Sequence, residues 1–289
     1  MYITKNNYIK PIGTAGTFRI EIKGLSPCEN YYLESIKAAK EIESLRQGRL
    51  YIFYSGGVDS EYVVALFYSL KINFTPVIIR FTKKLNKHDV DYALEFCKSI
   101  NLQPIIIDID FAKFVKQGKM FDLSLSMKSS IPHYSTTAYG ILQLDGTIIC
   151  ADGEPYIGYI PMSNQWAVKI YQYEFSLVNL FKDHNIIGTP YFNGYTSGMM
   201  RSFLEDNRMV DLASNKVYGK LGSHSSKFLI YNRHSNFNLK ERQKYHGLEK
   251  VEKTKIFQDD SFKELEKQGQ CWNGVWEKEY FQFIKEKFL

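Results

Sequence analysis

Four runs of β-forming residues, LYIFYS (50–55), TPVIIRF (75–81), QPIIIDI (103–109) and GTIICAD (146–152), alternate with segments of helical periodicity. The helices between them are expected over Ser60 to Leu70, over about 88–100 and near 132–144. Strands that alternate with helices of this length imply parallel β/α units joined by right-handed crossovers. The expected fold is therefore α/β, a doubly wound parallel sheet. In such sheets ligands bind in the crevice outside the carboxyl ends of the strands. Both Ser55–Ser60 and Asp152–Glu154 fall on that edge.

Beyond Gly158 the pattern changes to expected helices at about 168–184, 194–206, 225–233 and 274–287. Upstream, TFRIEIK (17–23) alternates like an exposed strand, and 30–46 reads as a charged amphipathic helix. The expected organisation is an N-terminal extension over 1–45, an α/β core over 46–160, and a helical substrate or lid region over 161–289. With 44% hydrophobic and 15% aromatic residues, the composition is that of a globular protein with a filled core, and the disordered class is excluded.

A net charge of +6 suits polyanionic ligands such as nucleotides and permits nucleic-acid contact, without requiring either. The four cysteines, Cys28, Cys97, Cys150 and Cys271, show no CxxC or Cys/His spacing for zinc, and are read as reduced. No run reaches the ~18 apolar residues of a membrane span, and no apolar signal core follows Met1. The expected location is the cytoplasm, with no membrane partner.

The first strand leaves through Ser55-Gly56-Gly57-Val58-Asp59-Ser60 into a helix. Glycines let backbone N–H groups approach an anion closely, and the helix directs its positive end at the same point. Ser55 and Ser60 supply hydroxyl donors, and Asp59 is a candidate Mg²⁺ ligand. A plain strand-to-helix turn with Asp59 or Ser60 as N-cap would use the same residues. This is not a Walker A loop, because no Gly-Lys-Ser/Thr follows.

The hexapeptide after a strand resembles the PP-loop of the ATP pyrophosphatases, a HUP-like superfamily. Its members cleave ATP between the α- and β-phosphates, adenylate a substrate and let a nucleophile displace AMP. A second stretch, SSIPHYSTTAYGILQLDGTIICADGEPYIGY (129–159), is similar to the acidic block of asparagine synthetase and β-lactam synthetase, with Asp152, Gly153, Glu154, Gly158 and Tyr159 at the matching positions. It departs from that pattern in being shorter between Gly153 and Glu154 and in carrying Pro155. The resemblance implies that Asp152 and Glu154 are catalytic or metal-binding, with Asp59 and Glu154 as the metal pair and the division of roles open.

A third stretch, SHSSKFLIYNRHSNFNLKERQKYHGLEK (223–250), resembles the later part of the synthetase domain, where a Ser/Thr-Lys helix precedes Arg-x-Lys-x-x-Gly. By that resemblance Lys244 is the catalytic cation, and Lys227 and Arg242 orient or neutralise pyrophosphate. Such a cation stabilises charge building on the leaving group. Arg80 and Phe81, ending the second strand, would flank the base. A charged, solvated surface helix is the plain alternative for 240–250.

The resemblance covers about residues 45–250 and implies an AMP-forming carbon–nitrogen ligase that uses ATP and Mg²⁺. A small-molecule carboxylate is adenylated and then attacked by ammonia or an amine. Residues 1–45 are too few for the family's N-terminal glutaminase domain, so nitrogen is expected from free ammonia, a separate glutaminase subunit or a substrate amine. The alternative is a PP-loop enzyme that adenylates tRNA or a nucleobase before amination or thiolation. The absence of paired cysteines speaks against thiolation.

Overall fold

A computed structural model of the chain describes residues 9–12, 17–22, 28–127, 132–152, 154–160, 165–169, 177–206, 223–241 and 273–276. β1 (Ile9–Ile12) and β2 (Thr17–Ile22) form an antiparallel pair ahead of α1 (Tyr31–Leu45). Asn30 caps α1, its side chain accepting from Leu33 N at 3.1 Å. Tyr31, Ala38, Ala39 and Ile42 make one apolar stripe along α1, and all four are buried in the main core. α1, within the segment expected as an N-terminal extension, thus packs directly on the layers that follow.

β3 (Arg49–Phe53), α2 (Val58–Ser69), β4 (Thr75–Phe81), α3 (Lys87–Ser99) and β5 (Ile105–Ile109) realise the first three β/α units. α4 (Phe111–Lys116), α5 (Lys119–Met127) and α6 (Pro132–Ile141) lead to β6 (Gly146–Ile149). β7 (Tyr156–Ile160) and β8 (Gln165–Lys169) form a separate antiparallel pair. α7 (Leu177–Asp183), β9 (Ile187–Thr189), α8 (Ser197–Leu204), α9 (Ser223–Asn232) and β10 (Asn273–Trp276) complete the described elements.

The main sheet has five strands in the order β5-β4-β3-β6-β9, every pairing parallel. The chain builds outward from β3 to β5, then crosses to the other side of β3 for β6 and β9. The order therefore reverses between β3 and β6, and the carboxyl ends of these two strands flank the switch point. The doubly wound parallel sheet expected from the alternation is present.

The pleat sorts the core into two layers. Leu50, Ile52, Ile78 and Ile149 face α1, α2, α3, α8 and α9. Tyr51, Phe53, Val77, Ile107 and Ile148 face α4, α5, α6 and α7. α2 is buried at every position from Ser60 to Phe67, which explains its nearly uniform apolar sequence.

Three expectations change. The sheet takes its fifth strand, β9, from beyond residue 160, so the main sheet does not end where the core was expected to end. Of the helix expected over about 168–184, the described residues form a strand to Lys169, where QWAVK alternates and pairs with β7, and a helix over Leu177–Asp183; residues 170–176 lie outside the described ones. The helix expected over about 274–287 begins as β10, which lies parallel to β2, and residues 277–289 lie outside the described ones. Cys28, Cys97 and Cys150 are free thiols, and burial pushes Cys97 up to about 11. No described helix is long and apolar enough to cross a membrane.

Candidate functional site

At the carboxyl end of β3 the chain enters the Ser55–Ser60 loop, and α2 starts on the N-cap Gly57. Neither Asp59 nor Ser60 is the N-cap. Gly56 has φ +82°, and a Cβ there would meet the Asp89 carbonyl oxygen at 2.1 Å. Only glycine satisfies both constraints. The loop is braced by its own serines: Ser55 N donates to Ser60 Oγ at 3.2 Å, and Ser60 Oγ donates to the Gly57 carbonyl at 3.0 Å. The two hydroxyls lie 3.1 Å apart. Behind the loop, Tyr54 donates its hydroxyl to Glu61 at 2.8 Å and ties the strand to the helix.

This loop lines a cavity with about 130 Å³ of interior space. Phe53, Val77, Ile79, Phe81 and Tyr134 make its apolar wall. Ser55, Asp59, Ser60 and Asp152 converge from two strand ends on its polar side, with Thr136 and Thr137 supplied by α6. Among the described residues the lining contains Asp59, Asp89 and Asp152 but neither lysine nor arginine. Positive potential at this edge comes from the N-terminus of α2.

β4 outruns β3: their register ends at Phe53 opposite Val77, leaving the next backbone groups of β4 without a strand partner on that side. Asn86 fills the gap. Phe81 N donates to its Oδ1 at 2.8 Å, and its Nδ2 donates to the Ile79 carbonyl at 2.9 Å. Phe81 is buried and lines the cavity. Arg80 is not among the lining residues. The pleat turns it to the opposite face, where it makes a bidentate pair with Asp108, its register partner on β5, at 2.6 and 2.7 Å.

Behind Asp59 lies a buried ionic cluster. Lys227 of α9 donates to Asp59 Oδ2 at 2.7 Å and also to Glu154 Oε1. Tyr231, one turn further along α9, donates to Asp59 Oδ1 at 2.7 Å and stacks on Tyr62 of α2 with centroids 4.4 Å apart. The side chains of Lys227 and Glu154 are 5% and 8% exposed. Burial, with the Asp59 charge adding to it, pushes Glu154 up to about 7 against the opposing pull of Lys227. Burial alone would lower Lys227, but the Asp59 and Glu154 charges outweigh it and hold the ammonium protonated. Tyr31 also reaches this region, donating to Asn193 Oδ1 at 2.9 Å, while Asn193 Nδ2 donates to the Ala151 carbonyl at 2.6 Å.

The structure thus brings together Ser55–Ser60, Asp152, Glu154 and Lys227 from three separate segments. Asp152 opens onto the cavity, whereas Glu154 points behind Asp59 toward Lys227. Magnesium was expected between Asp59 and Glu154, and the fit is poor: an ammonium stands there, and Tyr231 takes the other Asp59 oxygen. Among the described residues no group of three or more His, Cys, Asp or Glu is arranged to hold a metal ion. Gly153, Arg242 and Lys244 lie outside the described residues. Residues not foreseen from the sequence are Asp89, Asn86 and Tyr231. Of these Tyr231 had a signal, since Lys227 and Tyr231 are four apart on an expected helix and so share a face.

Fold and site together define a parallel α/β protein with a glycine loop and a helix N-terminus at the switch point of its sheet. No protein-family model matches the chain, and no curated protein matches it. Among solved structures it is similar to an NH3-dependent NAD synthetase from Campylobacter jejuni subsp. jejuni NCTC 11168 in complex with the nitrate ion. That likeness has a TM-score of 0.33 and 17% identity over 75% of this chain and 100% of that one. It is also similar to an NMN synthetase from Francisella tularensis, with a TM-score of 0.33 and 17% identity over 74% of this chain and 98% of that one.

Proposed function

We propose that the chain is a PP-loop ATP pyrophosphatase, an AMP-forming ligase of the asparagine synthetase-like kind that adenylates a small carboxylate and passes it to ammonia or an amine. The observation that carries the reading is the Ser55–Ser60 loop, held by Gly56 and Ser60 at the switch point, facing Asp152 across one cavity. A glycine turn whose backbone has no Cβ in the way, followed by a helix N-terminus, is a site for phosphate oxygens. The apolar wall ending in Phe81 suits the flat ring of a base.

In this reading the substrate carboxylate attacks the α-phosphorus and the bond to the β-phosphate breaks, releasing pyrophosphate. An amine then attacks the acyl carbon and AMP leaves. Ser55 and Ser60 orient the phosphates. Asp152, which lines the cavity with Asp59 and Asp89, takes the proton from the attacking amine. Glu154 is committed to Lys227 and serves as support. The described lining has no cation of its own, and Lys244 and Arg242 are proposed to supply positive charge to the leaving pyrophosphate.

The test is a pyrophosphate-release screen with ATP, divalent metal and panels of amino acids, other carboxylates, ammonia and tRNA. A carboxylate that raises the rate, with AMP appearing once an amine is added, is the expected result. Release of ADP and phosphate would overturn the reading, and stimulation only by tRNA would replace it with nucleobase modification. Asp152→Asn should leave pyrophosphate exchange in place and slow amide formation by about 10²-fold or more.

A further inference from the structure

We propose that Lys227 is the permanent cation of the Asp59–Glu154 pair, and that these two carboxylates anchor α9 to the start of α2 instead of ligating a divalent metal. Three observations lead there. Lys227 Nζ lies between the two carboxylates, 2.7 Å from Asp59 Oδ2 and hydrogen-bonded to Glu154 Oε1. The remaining Asp59 oxygen accepts from Tyr231 at 2.7 Å. Both donors belong to α9, whose Ile230 and Tyr231 are buried in the main core.

A divalent cation between Asp59 and Glu154 would have to displace the ammonium. Mg²⁺ takes six oxygens at about 2.0–2.1 Å, several of them usually water. Lys227 and Tyr231 fill that space with protein, and the ammonium repels a second positive charge. Lys227 cannot leave cheaply, because its helix is held by apolar burial and its own charge would remain buried and unpaired. Conversely, the buried Glu154 and the part-buried Asp59 without an ammonium between them would repel each other when both are ionised. The cluster joins one ionisable group from each of α2, the segment after β6, and α9.

The consequence reaches the cavity. Asp59 is both a lining residue and the point where α9 is fastened, so Lys227 and Tyr231 set the orientation of a carboxylate beside the glycine loop. They are positioning residues for that loop, and a metal accompanying a bound phosphate chain is held elsewhere. The Lys227 contacts are present in the nucleotide-free chain and do not depend on what it adenylates.

Mn²⁺ is the probe, read by electron paramagnetic resonance and by thermal unfolding of the nucleotide-free protein. The wild type should gain no thermal stability from Mn²⁺, and any Mn²⁺ it binds should survive the double change Asp59→Asn with Glu154→Gln. Lys227→Met should unfold at lower temperature and recover part of that loss in Mn²⁺, because the vacated pair is then a carboxylate site for a dication. Adding Asp59→Asn to Lys227→Met should abolish the recovery. Wild-type Mn²⁺ binding that Asp59→Asn or Glu154→Gln alone weakens by about tenfold or more would overturn the proposal. So would a Lys227→Met protein as stable as the wild type and indifferent to Mn²⁺. Should Lys227→Met fail to fold even with Mn²⁺, the wild-type and double-carboxamide measurements decide alone.

Discussion

Gly56 lies against the backbone of Asp89, so close that a Cβ at Gly56 would sit 2.1 Å from the Asp89 carbonyl oxygen. The loop after the central strand and the first turn of α3 are therefore packed backbone to backbone. Gly56→Ala must move one of them and must also hold a left-handed φ. The expected loss is about 1–3 kcal/mol of unfolding free energy from strain alone. On the proposed reading, in which this loop binds the phosphates, pyrophosphate release should fall further than stability does. Urea unfolding beside the release assay measures both, and an unchanged rate would show that the loop is only a turn.

Tyr231 offers a cleaner separation. Tyr231→Phe keeps the ring stacked on Tyr62 and removes only the hydroxyl that reaches Asp59. A hydrogen bond to a part-buried carboxylate such as Asp59 contributes about 2 kcal/mol. Urea midpoints should shift by that order, with no change in the slope. A neutral substitution would mean that Asp59 finds another donor.

Glu154 makes the fold pH-dependent in a definite direction. In the unfolded chain it loses its proton near 4.5, and in the folded protein only near 7. Between those values the folded state holds the proton more tightly, so stability falls as pH rises through the window. The contribution is fully present below pH 4.5 and lost above about 7, and it amounts to about 3 kcal/mol at most. Urea unfolding at pH 5 and pH 8 should show the decline in the wild type and a flatter profile in Glu154→Gln. A steeper profile in the variant would contradict the assignment.

Arg80 is the control. Its bidentate pair with Asp108 is exposed, with side chains 43% and 51% accessible, and pairs of that kind contribute about 0–1 kcal/mol. Arg80→Ala should leave pyrophosphate release unchanged and stability nearly so. A large rise in the nucleotide requirement would return Arg80 to the base-binding role that its position at the end of a strand suggested.

Much of the sheet was legible because strand and helix periods are local properties. LYIFYS, TPVIIRF and QPIIIDI carry runs of β-formers that nothing nearby contradicts, and all three lie in the main sheet. The glycine loop was legible for the same reason: its conformation depends on a few adjacent residues. Val168 and Lys169 at the end of QWAVK, and the segment from about 274, were read as helical because strand pairing with β7 and β2 is not visible in a local helical period. Arg80 was placed by position alone, and the pleat turned it to the other face.

By itself, the sequence of this chain determined where backbone can turn tightly and which segments can be strands or helices. It also placed Ser55–Ser60 and Asp152–Glu154 on one edge, since parallel strands must end on the same side. Only the tertiary structure decided that Lys227, 168 residues from Asp59, stands between that aspartate and Glu154. Spacing carries no information about such a contact. It follows from how α9 packs on α2, where the burial of Tyr231 against Tyr62 brings an ammonium to two carboxylates that would otherwise repel each other.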